Sequence, residues 1–376
     1  MGHGSASPQA PSSARSSALL IGSCEPFSGK SAVVLGLARQ WLQRGVPVRI
    51  GKPLADSAEL SAEGSGPLID DDVRFVGQIL GLGAEQLVAS VHLQSPASAR
   101  ERLLAGHLEA GAGLAQLQAD LQAASDQLTI LEGAGGLSDG VLYGLSLVQV
   151  AQALQAPVVL VHSWSGCQSV EPLLQAHAQL GSLLSGVVLN GLPPEQVDAV
   201  RADLVPALER LGLPVLGVMP RSPLLRSVTV EELVRRLEAQ VLCCRDRLDL
   251  LVETLSIGAM NVNSAMEFFR RRRNMAVVTG ADRTDIQLAA LEASTQCLIL
   301  TGAGEPLPQL VSRAEELEVP LLKVEHDTLT TVGVIENAFG HVRLHESVKA
   351  TYAFRLVEEH CDFEPLLTRL RLPLPA

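Results

Sequence analysis

The chain has 376 residues, 47% of them hydrophobic and 19% charged, which suits two or three folded domains and excludes a disordered or fibrous protein. Its formal net charge is −12 at pH 7, and only 3% of its residues are aromatic. Nucleic-acid binding usually relies on a basic surface or on stacked aromatic rings, so this composition argues against a nucleic-acid partner.

The six cysteines include no C-x-x-C pair, so nothing indicates a zinc or redox motif, and reduced thiols in a cytoplasmic protein are expected. No apolar run reaches the roughly 18 residues that a membrane span needs. Residues 1–17 are rich in Ser, Ala and Pro without the apolar stretch of a signal peptide, and they predict a flexible tail.

The first part of the chain alternates predicted strands and helices. An apolar strand over Ala18–Ile21 is followed by a helix from Ser31 to about Arg44 and by a strand over 46–50. Further apolar runs, separated by helical stretches, predict buried strands at 128–131, 157–161, 186–189 and 215–218. This alternation predicts an α/β fold with a parallel sheet, and such sheets bind ligands at the carboxyl ends of their strands.

A second, smaller α/β pattern follows a break near residues 239–246. Its predicted strands are 275–278, 297–300 and 320–324, and its predicted helices are 262–272, 285–293 and 307–317. We therefore expect a first domain over 18–240 and a second over 247–342. Residues 343–376 predict a C-terminal tail of one or two helices.

The segment from Gly22 to Ser31 joins the first strand to the first helix and ends in Gly-Lys-Ser. That context is the one a phosphate-binding loop, or P-loop, requires. Its N–H groups and the helix N-terminus would point at phosphate oxygens, its lysine would add positive charge, and its serine would bind Mg²⁺. The residues expected to contact ATP here are Gly22, Glu25, Ser28, Gly29, Lys30 and Ser31.

The loop departs from the usual G-x-x-x-x-G-K-S pattern, because Cys24 stands where the first glycine is expected. The nearest earlier glycine is Gly22. The alternative is an ordinary joint between strand and helix that carries a surface lysine.

Four polar residues follow other predicted strands or begin a helix. Lys52 could reach a phosphate or be a solvated strand end, and Asp72, in an acidic run before a helix, could bind Mg²⁺ or serve in a helix cap. Glu132, before a glycine-rich run, could coordinate Mg²⁺ or belong to a plain turn. Asn190 could bind an adenine edge or form a turn.

These motifs occur in one order and resemble those of the dethiobiotin synthetase family over residues 18–238. The matching segments are Lys52-Pro53, the Asp72 position, 132–136, 188–190 and 217–220. The resemblance implies that Lys30, Ser31, Lys52, Asp72 and Glu132 bind ATP and Mg²⁺, with Ser31, Asp72 and Glu132 as metal ligands. It also implies a base contact for Asn190. In a ligase of this kind, the catalytic residues would be Lys30, Lys52 and Glu132.

The run Thr279 to Ile286 contains Asp282-Arg283-Thr284 and resembles the signature of the DRTGG domain, although Asp285 and Ile286 follow where the name has two glycines. The resemblance covers about residues 247–342. Because these residues follow a predicted strand, we expect Asp282, Arg283 and Thr284 to bind a second small ligand, with Arg283 as an anion clamp. The alternative is an internal Asp–Arg pair that caps the next helix.

The pairing of the two domains resembles the amino-terminal, regulatory region of long phosphotransacetylases. The sequence ends at Ala376, which leaves no room for an acetyl-transferring domain, so acetyl transfer is not expected. The expected function is an ATP- and Mg²⁺-binding regulatory or sensor protein, and both resemblances imply a homo-oligomer. The alternatives are an ATP-dependent ligase or weak ATPase, and a scaffold that has lost nucleotide binding.

Overall fold

The computed structural model describes residues 17–57, 66–259 and 261–370. They form two compact units, the first made of the described residues up to Arg221 and from His345 onward, and the second of residues 222–344. The flexible tail expected at 1–17 lies outside the described residues, apart from Ser17. Within the described part of the chain, no helix is long and apolar enough to cross a membrane.

The first unit is α/β. In chain order its elements up to Arg221 are β1 (Ala18–Gly22), α1 (Lys30–Gln43), β2 (Val48–Gly51), β3 (Leu54–Ala55), α2 (Asp71–Leu80), β4 (Leu87–Val88), β5 (His92–Leu93), α3 (Pro96–Ala105), α4 (Ala112–Ala123), β6 (Leu128–Glu132), α5 (Leu147–Leu154), β7 (Val158–Ser163), α6 (Glu171–Leu180), β8 (Leu184–Leu192), α7 (Val197–Ala199), α8 (Val205–Arg210) and β9 (Val215–Pro220).

The second unit contributes α9 (Pro223–Arg226), β10 (Val228–Thr229), α10 (Val230–Leu237), β11 (Gln240–Cys243), β12 (Leu251–Val252), β13 (Thr254–Ile257), α11 (Val262–Arg270), β14 (Met275–Gly280), α12 (Thr284–Leu291), β15 (Thr295–Thr301), α13 (Pro308–Glu316), β16 (Leu321–Val324) and α14 (Thr328–Ala338). The chain then returns to the first unit with α15 (Ser347–His360) and α16 (Glu364–Leu370).

The sheet of the first unit has seven parallel strands in the order β4-β2-β6-β1-β7-β8-β9. The predicted parallel sheet is thereby confirmed. Its central strands are fully buried, because helices cover both faces, and they therefore read as continuous apolar runs. The parallel order brings the carboxyl ends of β1, β2, β6, β7 and β8 to one edge, where Ile21 of β1 lies in register with Glu132 of β6.

The C-terminal helices pack within the first unit. A Cβ atom added to Gly36 of α1 would lie 2.5 Å from the Cβ of Val357 on α15, so the two helices touch at a glycine. The Arg39 guanidinium lies 4.1 Å above the ring centroid of Phe354. The predicted helical tail is therefore an integral layer of the first unit.

The second unit is a smaller α/β fold. Its sheet has the order β11-β16-β15-β14-β13, with β13 to β16 parallel and β11 antiparallel at the edge. Alternate residues of β14 face two cores: Val277 lies with α11, α12 and α13, and Val278 lies with α10 and α14. The sheet is therefore covered on both faces, as the sequence predicts for an α/β unit.

The junction between the units differs from the expectation of a break near residues 239–246. That segment is β11, an edge strand paired with β16, followed by a turn at Cys244, which has a left-handed φ of 55°. It lacks helical periodicity because it is a half-buried strand and a turn, whereas the chain enters the second unit at Ser222.

Candidate nucleotide site

The loop between β1 and α1 closes tightly at Gly29. This residue precedes the first residue of α1 with a left-handed φ of 98°, a conformation that favours glycine. A Cβ atom there would lie 2.4 Å from Asn190 Nδ2, and that amide donates to Ser28 O over 2.8 Å. Gly29 therefore permits both the turn and the approach of Asn190 to the loop.

Lys30 lies inside the loop. Its residue is only 7% exposed, and its Nζ donates to Ser23 Oγ over 3.0 Å and to Gly135 O over 2.6 Å. Burial lowers the pKa of Lys30, and the carboxylate of Glu132 offsets this only in part. The alternative of a surface lysine is therefore wrong, since the ammonium group sits between the loop and the end of β6.

The Ser31 hydroxyl and the Glu132 carboxylate lie in contact. Ser31 Oγ donates to Glu132 Oε1 over 3.1 Å, which joins the first turn of α1 to the end of β6. Burial raises the pKa of Glu132 to about 7, against the opposing effect of Lys52. A hydroxyl and a carboxylate are the kind of oxygen donors that Mg²⁺ accepts.

Lys52 follows β2 and is surrounded by carboxylates. Its Nζ lies 2.7 Å from Asp56 Oδ2, 3.0 Å from Asp72 Oδ2 and 3.6 Å from Asp70 Oδ2. Burial alone would lower the pKa of Lys52, but Glu132 and these three carboxylates outweigh it and hold that pKa above its usual value. Lys52 is therefore a buried cation at the sheet edge, and the alternative of a solvated strand end is wrong.

Asp70 and Asp72, in the acidic run at the start of α2, make different contacts. Asp70 is fully buried and caps the helix, accepting from the Asp72 amide over 2.9 Å and from the Asp56 amide over 2.9 Å. Asp72 instead turns its carboxylate to Lys52 and to His345, whose Nε2 lies 2.9 Å from Asp72 Oδ1. Of the run, Asp72 makes the shorter contact with Lys52, at 3.0 Å against 3.6 Å for Asp70.

Glu25 is held at the end of β7. Its Oε1 accepts from the Ser163 amide over 2.6 Å and lies 3.4 Å from Nδ1 of the buried His162. Asn190 likewise uses its amide to hold the loop. Both residues fasten the loop to neighbouring strands, and a nucleotide contact by either stays a prediction.

Position 24 does not need a glycine in this loop. Cys24 is not among the described residues with positive φ, and burial raises the pKa of its thiol to about 12. The close approach falls elsewhere: a Cβ atom on Gly136 would lie 2.8 Å from Cys24 O. The glycine-rich run after β6 thus makes room for the loop backbone.

Several residues of this edge escaped the sequence-based prediction. Asp139 Oδ2 accepts from the Gly136 amide over 2.7 Å. Asp56 contacts Lys52, and His162 contacts Glu25. An acidic residue three positions beyond Gly136 is a weak turn signal. No local sequence signal could indicate the role of His345, because it lies 273 positions from its partner Asp72.

Asp282, Arg283 and Thr284 lie in the second unit, where β14 ends and α12 begins. Arg283 Nε lies 3.6 Å from Asp285 Oδ1, and both side chains are partly exposed. This pair is neither internal nor a cap, because Arg283 occupies the N-cap position of α12 without a side-chain cap hydrogen bond. Ligand binding at these three residues stays a prediction.

Magnesium would need oxygen atoms beyond those of the protein. Among the described residues, no group of three or more His, Cys, Asp or Glu side chains is arranged to hold a metal ion. Mg²⁺ commonly binds through one or two protein oxygens together with water and substrate phosphates. Ser31 and Glu132 suit that mode, with Asp72 nearby on α2.

Comparison with known proteins supports both units. The AAA domain model matches residues 17–229, and the DRTGG domain model matches residues 232–338. Phosphate acetyltransferase of Synechocystis sp. is 25% identical over 379 residues, covering 94% of this chain and 52% of that protein. The corresponding protein of Nitratidesulfovibrio vulgaris is 26% identical over 376 residues, covering 94% and 51%.

The first unit has shorter relatives as well. The ATP-dependent dethiobiotin synthetase BioD of Pseudomonas aeruginosa is 32% identical over 204 residues, covering 51% of this chain and 85% of that enzyme. The chain spans about half the length of the phosphate acetyltransferases it matches. All three resemblances predicted from the sequence, to dethiobiotin synthetase, to the DRTGG domain and to phosphotransacetylases, are confirmed. The chain belongs to the AAA domain family and joins a dethiobiotin synthetase-like P-loop domain to a DRTGG domain.

Proposed function

We propose that the first unit binds Mg²⁺-ATP and that the protein is a nucleotide-responsive regulator of the kind found at the amino-terminal half of phosphate acetyltransferases. The observation that carries the proposal is the buried Lys30 beside the contact between Ser31 and Glu132. The negative charge of a bound nucleotide would be complemented by the buried ammonium group of Lys30.

Physical features of the loop support phosphate binding. The first amides of a helix have no acceptor within the helix, and the helix dipole makes its N-terminus positive, so α1 favours an anion at Lys30 and Ser31. Among the described side chains, the buried Ser28 Oγ is one of the few polar atoms without a hydrogen-bond partner. Lys52 lies at the same sheet edge, where its positive charge is shared with Asp56, Asp70 and Asp72.

The regulatory part of the proposal rests on similarity over nearly the whole chain to proteins in which this region is about half of a longer enzyme. Within it, the DRTGG unit would bind a second small ligand at Asp282, Arg283 and Thr284. Acetyl transfer has no support from the two matched domains.

Thermal unfolding tests the proposal. Mg²⁺-ATP should raise the melting temperature, since a ligand at 100 times its Kd stabilises the folded state by about 2.7 kcal/mol. Lys30→Ala should abolish the shift. Lys323→Ala is the matched control, because Lys323 lies on β16 of the second unit and pairs with Glu305. Absence of any shift at millimolar Mg²⁺-ATP in the unaltered protein would favour the scaffold alternative.

An ATP-dependent ligase is a second candidate, favoured by the 32% identity to dethiobiotin synthetase over 85% of that enzyme. Phosphoryl transfer depends mainly on positioning and charge neutralisation, which Lys30, Lys52 and Glu132 could supply with Mg²⁺. Two features count against a ligase: the phosphate loop has Cys24 in place of the expected glycine, and the chain carries an added DRTGG domain. Phosphate release that requires diaminopelargonate and bicarbonate would favour the ligase, whereas ATP binding without such release would favour the regulator.

A further inference from the structure

We propose that His345 is a positioning residue of the magnesium–nucleotide site, holding the Asp72 carboxylate in place beside Lys52. The inference rests on the proposed nucleotide binding and adds to it a residue outside the segment, 17–229, that the AAA domain model matches. His345 is the first residue of the chain after the second unit, so the site would be completed from the returning C-terminal segment.

The carboxylate of Asp72 is held through both oxygens. His345 Nε2 donates to Oδ1 over 2.9 Å, and Lys52 Nζ donates to Oδ2 over 3.0 Å. The Asp72 side chain is only 12% exposed, and its own backbone amide is fixed by Asp70. Two of the donors that orient it therefore come from distant parts of the sequence.

The imidazole ring is itself held in place. Its centroid lies 5.3 Å from that of Phe75, with 38° between the ring planes. Phe75 follows Asp72 by three positions on α2, so both residues lie on one face of the helix. His345 thus contacts that face at two points, one polar and one aromatic.

The segment that carries His345 also packs on the helix of the phosphate loop. α15 begins two residues after His345, and its Val357 meets Gly36 of α1. Ala350 and Ala353 of α15 are fully buried. α15 therefore packs on α1, the helix that begins at Lys30. His345, two residues ahead of α15, contacts Asp72.

A donor of this kind matters most when the carboxylate serves a metal. Groups that hydrogen-bond to metal ligands fix the orientation of those ligands, and their removal typically lowers metal affinity by 10- to 100-fold. Without the His345 contact, Asp72 would still accept from Lys52, but that ammonium is shared with Asp56 and Asp70. We therefore expect loss of His345 to weaken the magnesium-dependent part of nucleotide binding.

Calorimetric titration with ATP tests this, in Mg²⁺ and separately in EDTA. His345→Ala should weaken binding in Mg²⁺ by about 10-fold or more and leave binding in EDTA unchanged. His345→Gln should restore most of the affinity, because its amide can donate to Asp72. His326→Ala, an exposed histidine of the second unit, should behave as the unaltered protein does.

Two further measurements separate positioning from a general structural effect. Asp72→Ala and the double variant Asp72→Ala/His345→Ala should bind Mg²⁺-ATP equally weakly, since His345 acts through Asp72. In the nucleotide-free protein, hydrogen exchange of the amides at 71–74 should be faster in His345→Ala and normal in His345→Gln.

Three results would overturn the inference while leaving nucleotide binding intact: unchanged Mg²⁺-ATP affinity in His345→Ala, an equal loss in EDTA, or a further loss in the double variant. Failure of the proposed function is distinguishable, because the unaltered protein would then show no Lys30-dependent binding, and the inference would fall with it.

Discussion

At the residue scale, the site is a small set of buried charges whose balance decides its properties. Lys30 and Lys52 lie near Glu132, and carboxylates outnumber ammonium groups around Lys52. Lys30, Lys52 and Glu132 could be predicted because each lies at the end of a sheet strand or at the start of the helix that follows one. Asp56 and His345 could not, since their roles depend on side chains meeting in space.

Glu132 makes stability depend on pH. Its pKa is raised by burial from 4.5 to about 7, so between these values the folded protein holds a proton that the unfolded chain has lost, and stability falls as pH rises. Glu132→Gln should remove this loss. Urea unfolding in EDTA should therefore show the variant gaining on the unaltered protein by up to about 3 kcal/mol between pH 5 and 8.

The contribution of Glu132 is fully present below about pH 4.5 and is gone above about pH 7. Parallel stability curves for the two proteins across this range would contradict the raised pKa of the buried Glu132 carboxyl group.

At the element scale, the strands with the most continuous apolar sequence were predicted best. β1 and β6 match their predicted ranges to within a residue, because strands covered on both faces are apolar throughout. β13 (Thr254–Ile257) was missed, since it is an edge strand with only one buried residue and offers no apolar run. Predictions from pattern thus succeed where burial is two-sided.

The turn at Gly29 gives a sharp test of the loop. Gly29→Ala should destabilise the protein by at least about 1–2 kcal/mol, because φ is 98° and the new Cβ would lie 2.4 Å from Asn190 Nδ2. It should also impair Mg²⁺-ATP binding. Gly81→Ala is the control: its φ is 69° with nothing within 4 Å, so it should lose stability and keep its affinity.

Urea unfolding and calorimetry together measure both effects. Equal nucleotide affinity in Gly29→Ala and Gly81→Ala would show that the geometry at Gly29 plays no part in binding.

The contact between α1 and α15 is a second element-scale feature. Gly36→Ala would place a methyl group 2.5 Å from Val357, and overpacking of this kind typically destabilises by about 1–3 kcal/mol. Gly333→Ala on α14 meets nothing within 4 Å and should be neutral or slightly stabilising. A neutral Gly36→Ala in urea unfolding would mean that α15 does not pack closely on α1.

At the scale of the whole molecule, the first unit is built from two separate parts of the chain, residues up to Arg221 and residues from His345 onward. The predicted tail at 343–376 is helical as expected in its described part, and from His345 onward it belongs to the first unit. Nothing in a local pattern could indicate this, because the apolar face of α15 is compatible with any partner surface. The small residue Gly36, which faces Val357, is one local sign of this close packing.

Assembly into a homo-oligomer stays a prediction. Exposed apolar side chains on α3, Leu103 at 66% and Leu104 at 73%, offer a surface that could be covered in an assembly. Light scattering should give a mass of at least twice the 39.8 kDa of one chain. A single species at 39.8 kDa would contradict the prediction.

The most direct test of the central claim is a crystal structure of the protein soaked with Mg²⁺ and a non-hydrolysable ATP analogue. We predict triphosphate density along the loop at Gly29, Lys30 and Ser31, with the metal bound by Ser31. Density confined to Arg283 in the second unit, or none at saturating ligand, would contradict nucleotide binding by the first.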